Sequence, residues 1–457
     1  MCKERNSLLK ALAAVILALV CLLAGAVIVG GAESKTSPTY NASFYGGTLT
    51  QDTILSTSDS PYVITQDIIV PAGITLTIEP SVTLQFQADR SIQVKGGRIL
   101  AEGTITQSIV FTKYGDGYWG GILLESTQKD NRFRYAVIEY TKKVIENPRT
   151  HGISAYGSQV TIADSVLRYT QASNAIIADW GSTLYLLRNE IYDVEGDAVH
   201  ATGGYAFIQG NHIHDIRHGI YALEGIELSN MVTPAIVLDN HIHDVSDDCL
   251  DLNRASAIIK RNRLYNCGDK GISIGDYPSV TTVENNLIYG CVGKDVDPYS
   301  GTGIAVKDGA VSYIANNTVS NCRHGIYLYE GHAGQGGGVA TVINNILWGN
   351  RSGLDMDALS TVTVIHSNIE MDTGVWPGEG NINADPLFRA PQSGDYQLQR
   401  ESPCVDAGTK TDAPDEDIEG VCRPHGAGYD MGAFEFWNDF YGGTLTESTT
   451  LVADCYP

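Results

Sequence analysis

Residues 237–276, VLDNHIHDVSDDCLDLNRASAIIKRNRLYNCGDKGISIGD, pass twice through one pattern. The first pass, NHIHDVSDDCLDLN, begins at Asn240, and the second, NRLYNCGDKGISIG, begins at Asn262. Each reads as a short strand, a turn and another short strand with period-2 alternation, so side chains point in turn to a core and to water. If the two passes stack, their outward residues form a ladder. One rung then carries Asp247, Asp248 and Asp251 and the next carries Lys270, three carboxylates beside an ammonium on a sheet surface.

Working outward, asparagine opens equivalent units at Asn189, Asn211, Asn240, Asn262, Asn286, Asn317, Asn345 and Asn368, with Ser165 in that place one unit earlier. The intervals are 22, 29, 22, 24, 31, 28 and 23 residues, a base period of 22 to 24 with insertions in three units, at 224–233, 293–301 and 331–338. Helical repeats are longer and carry a 3.6-residue period, and the leucine-rich signature is missing. The 457 residues with 49 glycines therefore read as one elongated domain of short strands and tight turns. Upstream, from residue 34 to about 140, Val, Ile, Thr and Leu alternate with polar residues in the same manner.

The asparagine turn, the three short strands per unit and the recurrent Gly-Ile strand resemble the right-handed parallel β-helix of the pectate lyase-like superfamily. The resemblance covers about residues 34–370 and implies an all-β solenoid whose stacked asparagine amides hydrogen-bond one another. The Gly-Ile strand recurs as HGISAY at 151, NAIIAD at 174, DAVHAT at 197, HGIYAL at 218, DCLDLN at 248, KGISIG at 270, TGIAVK at 302, HGIYLY at 324 and SGLDMD at 352. Its outward positions form one face, and parallel strands about 4.8 Å apart let neighbouring rungs share a ligand. The face from Asp197 to Tyr329 is expected to form a groove spanning roughly 25 to 30 Å. It would be lined for substrate by His200, His218, Tyr221, Asn253, His324, Tyr327 and Tyr329 and walled by the inserted loops. These histidines are expected to be polar rung residues rather than metal ligands.

Fifty-three acidic and 30 basic residues give a net charge of -23, which argues against nucleic acid as a partner. Lys3, Arg5 and Lys10 precede an uncharged apolar run from Ala11 to Ala32, an export signal that is either cleaved, after Ala26 or Ala32, or kept as a membrane anchor. An extracellular or cell-surface monomer is expected. Cys267, Cys291 and Cys322 each fall five residues after a repeat asparagine, where Val194, Ile216 and Val245 stand in other units, and read as a buried column of thiols. Cys404 and Cys422 are the expected disulfide. Residues 380–437, with DPLF, SPCVDAG and DMGAFE, resemble a C-terminal module common on bacterial surface β-helix proteins, expected to cap the solenoid. DFYGGTLTESTTL then repeats SFYGGTLTQDTIL of 43–55, so 438–457 reads as the start of a second, truncated unit.

The Asp-Asp-x-x-Asp spacing is similar to that of the calcium-dependent family 9 pectate lyases. That likeness implies Asp247, Asp248 and Asp251 as Ca²⁺ ligands, with Asp197 or Asp244 as additions. It also implies a lysine base, Lys270 or, further from the carboxylates, Lys307, although Lys270 precedes its glycine where that family's lysine follows. The expected activity is β-elimination on an acidic polysaccharide. Asp-Asp-Cys-Leu followed by Lys-Gly-Ile-Ser-Ile-Gly also resembles the polygalacturonases, with Lys270 at their histidine, which implies a hydrolase instead. The competing class is a non-catalytic surface or adhesive protein in which Asp248 and Lys270 are only an ion pair between rungs.

Overall fold

The computed structural model describes residues 39–40, 44–217, 222–293 and 297–437. The expected export signal, the repeat expected from 438 onward, His218 and Tyr221 lie outside the described residues. No helix among the described residues is long and apolar enough to cross a membrane.

Each unit is one coil of three strands, and among the described residues like strands stack into three parallel sheets of 14, 13 and 13 strands. In the coil of Asn240 the first strand is Ala235–Leu238, the second His241–Val245 and the third Leu250–Asn253. Alternate residues of all three fill one continuous core, so that Val237, Ile242, Val245, Leu250 and Leu252 are buried. The register is in phase from coil to coil, as Leu250 pairs Ile272 and Asp251 pairs Ser273.

The corner between first and second strands sets that register. Arg188, Asp239, Arg261, Asn285, Asn316 and Asn344, each just before a ladder asparagine, take φ of 54 to 56°, the left-handed turn that redirects the chain inward. From Asn189 to Asn317 every ladder Nδ2 donates to the Oδ1 of the next coil at 2.9–3.0 Å. The same Oδ1 accepts the preceding asparagine's backbone N–H at 2.8–3.0 Å. Buried amides thus satisfy one another without water. Ser165 opens the ladder by donating its N–H to Asn189 Oδ1 at 3.0 Å. At the other end the expected Asn368 is displaced. Ser367 Oγ accepts from Asn345 N–H at 3.1 Å, while Asn368 Nδ2 turns to the carbonyl of Ala384 at 2.7 Å.

Three further expectations are corrected. Cys267 is not a free thiol: it is bonded to Cys249, which occupies the small-residue corner that Gly225 and Gly271 fill in neighbouring coils. Cys291 and Cys322 do form the buried thiol pair, and Cys404 is a buried free thiol while Cys422 is disulfide-bonded elsewhere. The third strand after Thr202 is Ile226–Ser229, paired to Val199–Thr202, so the middle of 224–233 is a regular rung and the extra residues lie both before it and, from Asn230, after it. The insertions near 293–301 and 331–338 are present, and they flank opposite edges of the third sheet.

The C-terminal module pairs Ile382 with the last coil, the Ile369 N–H donating to the Ile382 carbonyl at 3.0 Å. It then runs back along the flank. Phe388, Tyr396, Leu398, Met431 and Phe434 pack on Leu287 and Ile346, which face outward from the second sheet. Buried Arg423 ties the module internally through Glu435 at 2.6 Å and the Gly432 carbonyl at 2.8 Å.

Asn262→Ala removes the acceptor of Asn240 and the donor to Asn286. Each orphaned buried group costs on the order of 1–3 kcal/mol. Because coils touch only their neighbours, hydrogen exchange should accelerate most at the amides of Asn240 and the adjacent corners, with a lower urea midpoint.

Candidate functional site

The outward face of the third sheet carries three parallel columns. In strand register, one runs Ser154, Ile177, His200, Glu227, Asp251, Ser273, Ala305, Tyr327 and Asp355. Glu227 stands where Tyr221 was expected. HGIYAL and EGIELS follow one another and carry the same Gly-Ile alternation, so only pairing against His200 distinguishes them. The shift adds two acids that the sequence reading missed, Glu227 in the column and Glu224 at the corner.

Glu224 is the hub. Its N–H donates to Asp197 Oδ1 at 3.0 Å, and its own Oε2 is buried with no hydrogen-bond partner. Burial, reinforced by the charges of Asp248, Asp247, Asp197 and Asp251, pushes its carboxyl up to about 10. Burial likewise raises Asp248 to about 7 against the pull of Lys270, and raises Asp251 against the pull of Lys307. Asp251 Oδ2 accepts from Asn253 Nδ2 at 2.6 Å, whereas its Oδ1 is buried without a partner.

The expected calcium set divides. Asp247 and Asp248 converge with Asp269, and Asp197 converges with His200 and Glu227. Asp251 belongs to neither group, and Asp244 lies on the second sheet bonded to His243. His200 is clamped, its Nδ1 2.5 Å from Glu227 Oε2 and its Nε2 3.6 Å from Asp179 Oδ1. Burial works against its charge, but Glu227 and the neighbouring aspartates prevail and raise its pKa.

Lys270 does not project into a solvent-facing trough. It is 6% exposed, with Nζ 2.5 Å from Asp269 Oδ2 and 3.7 Å from Asp248 Oδ1. The reason is the inserted segment before Thr302. Gly301 N–H donates to Asp269 Oδ1 at 3.2 Å, Arg323 holds the Asp297 carbonyl at 2.9 Å, and Tyr299 stacks on Tyr329 at 4.0 Å. Burial opposes the Lys270 charge, yet Asp248 and Asp269 outweigh it and raise its pKa, which suits an ion pair and not a base. Tyr329 is buried beside it instead of lining the groove.

Lys307 is placed differently. It makes no ion pair with a described residue, and it lies over Gly275, where a Cβ would come within 2.8 Å of Lys307 Cε and 3.4 Å of Asn253 Oδ1. The missing side chain at Gly275 lets the lysine cross a strand, and its charge reaches Asp251. Tyr327 is partly exposed, and His324 is held by Asp355 at 2.6 Å and the Pro298 carbonyl at 3.1 Å.

Glu224 and Asp248 have folded-state values above their ordinary 4.5 and 3.8. The protons they retain favour folding fully below that range. The advantage is lost as pH rises toward about 7 for Asp248 and about 10 for Glu224. In cation-free buffer the thermal midpoint should fall from about pH 5 to about pH 9, and Glu224→Gln should flatten the fall. A midpoint in Glu224→Gln that tracks wild type across that range would show Glu224 to be solvated.

Residues 224–384 match the family described as right handed beta helix region, and residues 47–145 match the pectate-lyase like beta helix domain. Over 81 residues, 18% of this chain, the sequence is 40% identical to protein bark beetle of Drosophila melanogaster, and the match spans 3% of that protein. The periplasmic alginate epimerase AlgG is 14% identical, with 70% of this chain and 84% of that one covered and a TM-score of 0.46. Pectate lyase Pel9A is 14% identical, with 80% and 88% covered and a TM-score of 0.37. The matched regions and the three stacked parallel sheets agree, and the chain is a right-handed parallel β-helix repeat protein.

Proposed function

We propose that the third-sheet groove of this protein, acting after export, binds an acidic polysaccharide and cleaves it by cation-assisted β-elimination. The observation that carries the reading is the carboxyl cluster around Glu224, whose Oε2 is buried without a donor, on the same sheet as Lys307, which has no ion-pair partner among the described residues. Crowded acids that must hold protons to coexist are a poor resting arrangement unless a hard cation replaces those protons. Oxygen donors of this kind suit Ca²⁺. Glu224, Asp248, Asp247 and Asp197 are the residues that would hold it, with Asp251 at the edge.

An acidic trough on a chain of net charge -23 repels a polyuronate unless a cation bridges them. Bound calcium supplies charge neutralisation of a uronate carboxylate, which makes the adjacent C5 proton more acidic. Lys307 as the free amine takes that proton at Nζ, the C4–C5 double bond forms as the C4–O4 bond breaks, and the departing oxygen takes a proton from water. Asn253, two coils before Lys307, and Tyr327 and His324, one coil after it, line the approach. The Cys249–Cys267 disulfide supports an oxidising compartment and thus export.

A second reading is favoured by one observation, that Glu224 holds its proton up to about 10. A protonated carboxyl beside Asp251 is the pair a glycoside hydrolase needs.

Polygalacturonate and alginate, incubated with the full chain in calcium or EDTA, separate the readings. Ultraviolet-absorbing unsaturated product that needs calcium, lost by at least about 100-fold in Lys307→Ala and kept in Lys270→Met, supports elimination. EDTA-resistant reducing ends without unsaturation, abolished in Glu224→Gln, support hydrolysis. Retention on the polymer without product leaves a binding protein.

A further inference from the structure

Two successive coils carry the same pentapeptide, Asn211-His212-Ile213-His214-Asp215 and Asn240-His241-Ile242-His243-Asp244. The isoleucines point into the core, and the four imidazoles face outward on the second sheet, away from the groove of the third. Strand register puts His212 beside His241 and His214 beside His243. The imidazole planes stack, His212 on His241 at 4.8 Å and His214 on His243 at 5.3 Å. Glu190 and Tyr192 continue the two columns on one side and Arg263 and Tyr265 on the other.

We propose that these histidines form a divalent transition-metal site of the zinc class, with His212, His241 and His243 as ligands and His214 and Glu190 at the open side. One ring nitrogen from each of His212, His241 and His243 lies within 4.8 Å of the others, and the same holds for Glu190, His212 and His214. Zinc–nitrogen bonds of about 2.0–2.1 Å place tetrahedral ligand atoms roughly 3.4 Å apart, so modest side-chain rotations close the set.

The outer contacts of the imidazoles are those of a metal site. Asp215 Oδ2 lies 3.0 Å from His214 Nδ1, and Asp244 Oδ2 lies 2.7 Å from His243 Nδ1. Arg217 and Asn266 in turn hold those two carboxylates. A carboxylate on Nδ1 keeps the proton there and leaves Nε2 as a lone pair. His214 Nε2 is accordingly buried without a hydrogen-bond partner, with Glu190 Oε1 3.7 Å away. His243 Nε2 meets His212 Nε2 at 2.9 Å, a contact in which one shared proton stands where a cation would be shared. Imidazole-rich donors select zinc, copper or nickel over calcium, so this site and the carboxylate groove take different cations. Occupied, it staples the two coils whose third strands carry Glu227 and Asp251.

Co²⁺ titrated into the metal-stripped full chain reads the coordination directly. The expected result is a saturable visible absorption band at one cobalt per chain, displaced by Zn²⁺ and untouched by excess Ca²⁺. His243→Ala and His212→Ala should each abolish the band. Asp244→Asn, which preserves size and fold, should weaken binding about 10- to 100-fold. His332→Ala, which removes the exposed imidazole of a separate cluster with Asp276 and Asp308, should change nothing. Circular dichroism confirms the folding of each variant. No band at stoichiometric cobalt, or a band that survives in Asp244→Asn and His243→Ala alike, overturns the assignment.

Discussion

The buried asparagine ladder is the constraint on which the other features rest. A parallel solenoid has no local pairing to fix how one coil sits on the next, and a one-residue slip would exchange core and surface along an entire strand. The amide supplies a specific answer, because its Oδ1 accepts both the N–H and the Nδ2 of the preceding coil's asparagine. Any other offset would leave those buried groups unpaired, at a cost on the order of 1–3 kcal/mol for each. With the corner pinned, residues at equal coil positions become neighbours although they are 22 to 31 residues apart in the chain.

That rule builds two chemically opposite faces. On the third sheet it accumulates carboxylates, and their mutual repulsion in a poorly solvated corner is relieved by protons, by Lys270 and, in the proposed function, by a cation. On the second sheet it accumulates imidazoles and phenols in a continuous stack from Tyr192 through His214, His243 and Tyr265 to Tyr289. The C-terminal module ends this stack, Tyr396 closing on Tyr289 at 5.1 Å. The module therefore packs against the second sheet and covers the apolar end of that face.

The two lysines show how insertion and deletion assign roles. Lys270 is covered because the coil that follows it carries the extra segment ending at Gly301, whose backbone and Tyr299 close over Asp269 and Tyr329. Lys307 stays available because Gly275 offers no side chain in its way. Neither outcome is a property of the lysine itself.

The recurrence of asparagine and of Gly-Ile, read as sequence alone, determined the solenoid, the period, the core alternation and the facing of Asp251, His200 and Tyr327, because those depend on local alternation and on repeat spacing. Tertiary structure alone decided which of two consecutive Gly-Ile segments forms the strand, and hence that Glu224 and Glu227 join the site. It also decided that Cys249 meets Cys267, that Ser367 ends the ladder in place of Asn368, and that Lys270 is buried. Each of these turns on what an adjacent coil or inserted loop places against the residue, and burial and pairing across coils leave no mark in the local pattern of the chain.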